Sequence, residues 1–269
     1  MCDTCGCNIT HGNQHLISAG GKLEKTESGR ETVTVLHNLL HENDHTAEHN
    51  RDHFNTHGVV AINLMSSPGA GKTALLEATI KALGDEFRLA VIEGDLETEN
   101  DAERIRRHGV TAVQITTGSA CHLDAHMIHD AVHNLDLADL DIVFIENVGN
   151  LVCPASFDLG QHTNVVLLSV PEGDDKPAKY PVMFRTADMV VLSKADLLPV
   201  LDDFDPQRAE QYLRKLANSA PVIHTSAKSG LGMDDWLDWL RQTVIAHRQI
   251  PQENPVAHTH DHHDDLVSK

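Results

Sequence analysis

From Val59 onward, short runs of apolar, β-branched residues alternate with stretches of helical periodicity, and this alternation constrains the fold more than any other feature. The runs VVAINLM, RLAVIEG, TAVQIT, DIVFIE, NVVLLSV, DMVVLS and PVIHT have strand length and lack polar alternation, so both faces must be covered. Helical patterns begin at about Lys72, span Asp101 to His108, begin at about Cys121, span about Pro206 to Asn218, and end with about Met233 to His247. Strands of this kind separated by helices predict an α/β fold, a mostly parallel sheet of about seven strands with helices on both faces.

The flanks read differently. Residues 1–57 are polar and rich in His, Asn, Glu and Thr, and form an N-terminal metal-binding, His-rich segment in this reading. Residues 58–250 form the sheet domain, and residues 251–269 a polar, His-rich tail expected to be disordered. The apolar fraction of 41% suffices for a core, and the net charge of −19 lacks the basic footprint that a nucleic-acid partner requires. No stretch approaches the apolar length of a membrane span, and the first residues do not resemble a signal peptide. The expected setting is therefore cytoplasmic, with no membrane partner.

The first strand runs into SSPGAGKT, Ser66 to Thr73, which opens the first helix of the domain. Glycines in such a turn let backbone N–H groups point inward around phosphate oxygens, with the helix N-terminus adding a favourable field. Gly69, Ala70, Gly71, Lys72, Thr73 and Ala74 are the expected cradle. Lys72 reaches the β and γ phosphates, and Thr73 ligates Mg²⁺. Ser66 stands where such loops usually begin with glycine. Two strand-end acids, Asp95 in EGDLET and Glu146 in DIVFIENVG, are candidates for the Mg²⁺ shell or the attacking water; the rival reading is a solvated carboxylate at a strand end. Lys72, Asp95 and Glu146 make up the expected catalytic set. SKAD, Ser193 to Asp196, resembles the NKxD motif that reads guanine. Asp196 accepts the hydrogen bonds that adenine does not offer, and the Lys194 stem covers the base. TSAKSG brings Ser226, Ala227 and Lys228 to close over it. These motifs in this order favour GTP over ATP.

All five cysteines fall in two places. Cys2, Cys5 and Cys7 give three thiolates close to the N-terminal amine, a donor set suited to Ni²⁺ or Zn²⁺; a redox cluster is the alternative. Cys121-His122, expected at a helix start, and Cys153, seven residues beyond Glu146, are candidates to share one ion, including across a dimer interface; simple packing of each thiol is the alternative. His37, His41, His45, His49, His53 and His57 recur every four residues, so neighbouring pairs either chelate loosely or line a polar helix face. His258, His260, His262 and His263 suggest weak metal buffering. His126, His129 and His133 read as surface residues.

CxxCGC at the N-terminus, SSPGAGKT, CHLDAHMI and ENVGNLVCP together resemble the hydrogenase nickel-incorporation GTPases, the HypB family, from Cys2 through the final helix. The resemblance implies a SIMIBI-class GTPase that hydrolyses GTP with Mg²⁺ and dimerises with nucleotide. It implies a high-affinity nickel site at Cys2, Cys5 and Cys7, and a Ni/Zn site at Cys121, His122 and Cys153. The implied partners are the companion nickel chaperone of the pathway and the hydrogenase large subunit. Ser66 and Ser193 are the departures from its motifs. Three rivals remain. A urease-type nickel-insertion GTPase carries a CPHTAIRED-like segment where ACHLDAHMI stands here. A nickel-storage protein would have a slow nucleotide site. A P-loop small-molecule kinase is disfavoured by Asp196 and the cysteines.

Overall fold

The computed structural model describes residues 30–95, 100–118 and 120–249, with side chains from Leu40 onward. Cys2, Cys5, Cys7 and the four C-terminal histidines lie outside the described residues. The seven expected strands form one sheet: β1 (Val60–Ser66), β2 (Leu89–Asp95), β3 (Thr111–Thr116), β4 (Ile142–Glu146), β5 (Thr163–Ser169), β6 (Met189–Ser193) and β7 (Val222–His224). Its order is β3-β2-β4-β1-β5-β6-β7, and every pairing is parallel. All of β1 and β4 is buried, which is why their runs are apolar on both faces. Order reverses on the two sides of β1, so the loops leaving its carboxyl end open a crevice where such sheets bind ligands.

The helices are α1 (Arg30–His57), α2 (Lys72–Leu83), α3 (Asn100–Arg106), α4 (Ala125–Val132), α5 (Lys176–Lys179), α6 (Pro181–Arg185), α7 (Pro206–Lys215) and α8 (Met233–Arg248). On one face α2 and α8 pack through Leu75, Leu76, Ile80, Trp236, Leu240 and Val244. The Trp236 indole N–H is satisfied by donation to Thr79 Oγ1 at 2.8 Å. None of the described helices is long and apolar enough to cross a membrane.

Two local expectations are corrected. The helix expected from about Cys121 begins at Ala125, because Asp124 caps it, accepting from the Met127 backbone N–H at 2.9 Å. Cys121 and His122 therefore lie in the preceding loop. Residues up to 57 also do more than their polar texture suggested. Asn43, Ala47, Asn50 and Phe54 fall on one face of α1 and are buried. Asn43 donates to Asp158 O at 2.8 Å and accepts from Ala125 N at 2.9 Å, while Arg51 makes a two-pronged pair with Asp158. The expected division at 57/58 falls where α1 ends, yet that helix lies against α4 and the loop before β5. Half of the buried face is asparagine, so hydrophobic periodicity did not reveal it.

Candidate functional site

The loop from Ser66 to Thr73 follows the carboxyl end of β1 and turns into α2. Gly69 and Gly71 take φ of 74° and 101°, a region a side chain strains, and this turns the backbone around the crevice. Lys72 and Thr73 open α2 and are both buried. Ser66 is still in extended strand, where glycine has no conformational advantage. Its hydroxyl accepts from Lys72 Nζ at 3.2 Å and donates to Ser67 O at 2.7 Å, so it aims the lysine along the loop.

Opposite this loop stands the segment after β6. Ser193 is buried and its hydroxyl donates to Ala70 O at 2.7 Å, tying that segment to the phosphate loop. The neighbouring Lys194 adopts φ of 57° and donates to Gly69 O at 2.7 Å. Between them and the loop after β7 lies a cavity of about 250 Å³, lined by Ala70, Gly71, Ala74, Leu75, Ser193, Lys194, Asp196, Leu197, Thr225, Ser226, Ala227 and Lys228. Three separated motifs therefore meet around one space beside the N-terminus of α2. A glycine-rich turn leading to a buried lysine, beside a base-sized cavity, makes this chain a P-loop nucleotide-binding protein.

Glu146, at the end of β4, accepts from Thr73 Oγ1 at 2.9 Å, and its Oε1 lies 4.0 Å from Lys72 Nζ. Its Oε2 is buried with no hydrogen-bond partner among the described residues. Burial pushes this carboxyl up to about 7, against the pull of Lys72 and Thr73. A cation beside Thr73 and Glu146 would satisfy that orphaned oxygen, so the donor set fits Mg²⁺. Asp95 ends β2 at the same rim, half-buried, and its backbone carbonyl accepts from Thr117 N at 2.9 Å. Sequence reasoning missed Glu93. It is in register with Glu146 on the adjacent parallel strand and is buried. Burial, then the neighbouring Glu146 carboxylate, pushes it up to about 8. The signal was present, a charged residue within an otherwise apolar strand.

Seven residues past Glu146, the second cluster begins. Cys121 Sγ lies 3.0 Å from Cys153 Sγ and 3.9 Å from His122 Nδ1, and one ligand atom from each residue falls within 4.8 Å of the others. The His122 ring is fully buried and stacks on Phe157, its centroid 4.0 Å away. Burial drives its pKa down to about 4, which keeps a lone pair available, and its Nε2 has no partner among the described residues. Burial and the adjacent Cys153 push the Cys121 thiol up to about 11. A transition ion bound here would displace the Cys121 proton, and the second sulfur and the imidazole complete a borderline-soft donor set.

Two asparagines, which sequence reasoning passed over, link these clusters. Asn147 Oδ1 accepts from Leu123 N at 3.2 Å, and Asn150 donates to Cys121 O at 3.1 Å while accepting from Val152 N at 2.8 Å. A Cβ on Gly149 would lie 2.8 Å from Pro68 Cα, so the same loop presses directly on the phosphate loop.

Comparison with known proteins agrees with this geometry. The family profile "CobW/HypB/UreG, nucleotide-binding domain" matches residues 60–224. The hydrogenase maturation factor HypB of Azotobacter vinelandii is 53% identical over 210 residues, covering 78% of this chain and 69% of that one. The factor of the same name from Escherichia coli K12 is 51% identical over 213 residues, covering 79% and 73%. A crystal structure of HypB from Helicobacter pylori in complex with nickel superposes with a TM-score of 0.74 at 42% identity, covering 80% of this chain and 99% of that one. The chain belongs to the hydrogenase maturation factor HypB family.

Proposed function

We propose that this chain is a GTP-hydrolysing metallochaperone that delivers Ni²⁺ to a hydrogenase large subunit during maturation. In this reading Asp196 selects guanine, Lys194 covers the base, and Ser226, Ala227 and Lys228 close the pocket. Lys72 and the backbone of Gly69, Ala70, Gly71 and Ala74 hold the phosphates; Thr73, Glu146 and Asp95 hold Mg²⁺. That ion, when bound, neutralises charge on the phosphate oxygens. Cys121, His122 and Cys153 take nickel, or zinc, as cargo. Cys2, Cys5 and Cys7 form the tighter nickel site. The companion nickel chaperone of the pathway and a second copy of this chain, recruited with nucleotide, are the proposed partners, in the cytoplasm.

The single observation that carries the reading is the loop from Glu146 to Cys153. One end accepts from Thr73 at 2.9 Å and the other meets Cys121 at 3.0 Å. A rearrangement at Glu146 on hydrolysis moves Asn147 and Asn150, changes the spacing of the thiols and releases the ion. Nickel titration of a Cys2/Cys5/Cys7→Ala variant, loaded with a non-hydrolysable GTP analogue or with GDP, tests this. The expected result is a different affinity in the two states. Equal affinities would sink the coupling. The same titration on the unmodified chain should show an additional, tighter step; its absence would remove the role given to the three N-terminal cysteines.

A further inference from the structure

Away from the nucleotide and thiol sites, the groove between α1 and α4 collects imidazoles. His49 and His53 stand four apart on α1, and His129 and His133 stand four apart on and just beyond α4, so each pair shares one side of its helix. The ring centroids lie 4.6 Å apart within each pair. Across the groove, His129 is 5.2 Å from His49 and 6.2 Å from His53, and His133 is 6.3 Å from His53. Sequence reasoning treated the α1 histidines and the α4 histidines separately. Packing makes them one cluster.

Hydrogen bonding dictates how His129 is protonated. Buried Asn50 donates through Nδ2 to Ala125 O at 2.8 Å and Leu159 O at 3.1 Å, which turns its Oδ1 towards His129 Nδ1, 3.2 Å away. An amide oxygen only accepts, so Nδ1 carries the proton and Nε2 carries the lone pair. That Nε2 faces His133 Nε2 at 3.1 Å. Two nitrogens bound to one zinc or nickel ion at about 2.0–2.1 Å lie about 2.8–3.4 Å apart for angles between square and tetrahedral. A ligating imidazole with its other N–H held by an amide oxygen is also how metal sites orient histidine. Burial, and then the neighbouring histidines, lower the pKa values of His53 and His129, which favours their neutral, ligand-ready forms.

We propose that His49, His53, His129 and His133 form a further transition-metal site that clamps α1 to α4 and takes a divalent ion of the cobalt, nickel, copper and zinc class. His129 and His133 already stand at ligand spacing. His49 is exposed and His53 half-buried, so their side chains are free to rotate inward, and the ion reaches the groove from solvent. The donors are all imidazole, which separates this site chemically from the thiol cluster. It stands whether or not the chain delivers nickel.

The test uses the full chain with Cys2, Cys5, Cys7, Cys121 and Cys153 changed to Ala, titrated with Co²⁺ and followed by its visible d–d bands. One equivalent with tetrahedral intensity, displaced by Zn²⁺, is expected. His129→Ala/His133→Ala should weaken that step by more than about tenfold, while His41→Ala/His45→Ala, an equally spaced pair on the same helix, should leave it unchanged. Retained GTP binding certifies each variant as folded. Should the double variant fail that check, His133→Ala alone, exposed beyond the end of α4, reads the same step. If the Co²⁺ step survives loss of His129 and His133, or weakens equally in both pairs of variants, the site does not exist as described.

Discussion

Lys72 and Thr73 are placed by a single stretch of chain, whereas Cys121 and Cys153 meet only because two loops from different strands converge. In the phosphate loop the glycine backbone, the Ser66 hydroxyl and the start of α2 are neighbours in sequence, and the geometry follows locally. The thiol cluster has no such local support. It depends on Asn150 and Asn147 bridging the loops, and on His122 seated against Phe157. A site built locally tolerates changes elsewhere. One assembled from distant loops responds to any movement of its supports. The contrast is sharpest in charge. The cradle carries a lysine beside buried carboxylates held above their ordinary range, whereas in the thiol cluster burial pushes the Cys121 thiol up and the His122 imidazole down, so both favour their neutral forms.

The largest effect separating the two regions is expected from Lys72→Ala. Removing the cation beside the phosphates should lower GTP turnover by at least about 100-fold, while nickel affinity at Cys121 and Cys153, read by titration without nucleotide, stays unchanged. Parallel loss of both would mean that the regions are not separable. The converse change, Cys153→Ser, should weaken metal binding at this site by about 10- to 100-fold and leave steady-state GTP turnover of the metal-free protein intact.

Gly149→Ala probes the seam between them. Its new Cβ would press on Pro68 backbone at 2.8 Å, so a loss of about 1–3 kcal/mol is expected in denaturant unfolding. A stability equal to the parent would show that the loop does not bear on the cradle. Similar in size is a pH effect at Glu93 in protein free of nucleotide and metal. Its folded pKa of about 8 lies above the ordinary value of 4.5, so the folded state binds the extra proton and stability falls as pH rises between those values. Glu93→Gln should therefore stabilise the chain by about 1–3 kcal/mol at pH 8.5, with the gain vanishing near pH 4.5. A gain independent of pH would break the argument that charge is the cause. Finally, Asn150→Ala should lower metal affinity modestly and narrow the affinity difference between the GTP-analogue and GDP states; an unchanged difference would route the coupling elsewhere.

Much of this is legible in the sequence. The seven apolar runs are the seven strands; the inner ones, β1 and β4 above all, are buried on both faces and leave an unbroken apolar signature, while the edge strands β3 and β7 are only partly buried. The glycine-rich loop and the SKAD and TSAKSG segments are legible as motifs because such turns depend on backbone shape, which short sequences specify, and the structure brings all three to one cavity. Even the departures at Ser66 and Ser193 have local explanations, since each hydroxyl makes a tie within or to the phosphate loop. The expected start of α4 is too early because Asp124, the fourth residue of CHLDAHMI, supplies the cap, so the helix opens only at Ala125. The packing of α1 was hidden for another reason. Asn43 and Asn50 are buried by hydrogen bonds rather than by hydrophobicity, so the pattern looked solvent-exposed.

By itself the sequence determined the parallel sheet, the glycine-rich nucleotide loop and the candidate soft ligands, all features carried by local backbone preference and residue chemistry. Tertiary structure alone decided that Cys121 meets Cys153, that Glu93 sits beside Glu146, and that two pairs of histidines face one another across α1 and α4. Those contacts join residues far apart in the chain. Strand register and helix packing set them, and neither is written in the spacing of any one segment.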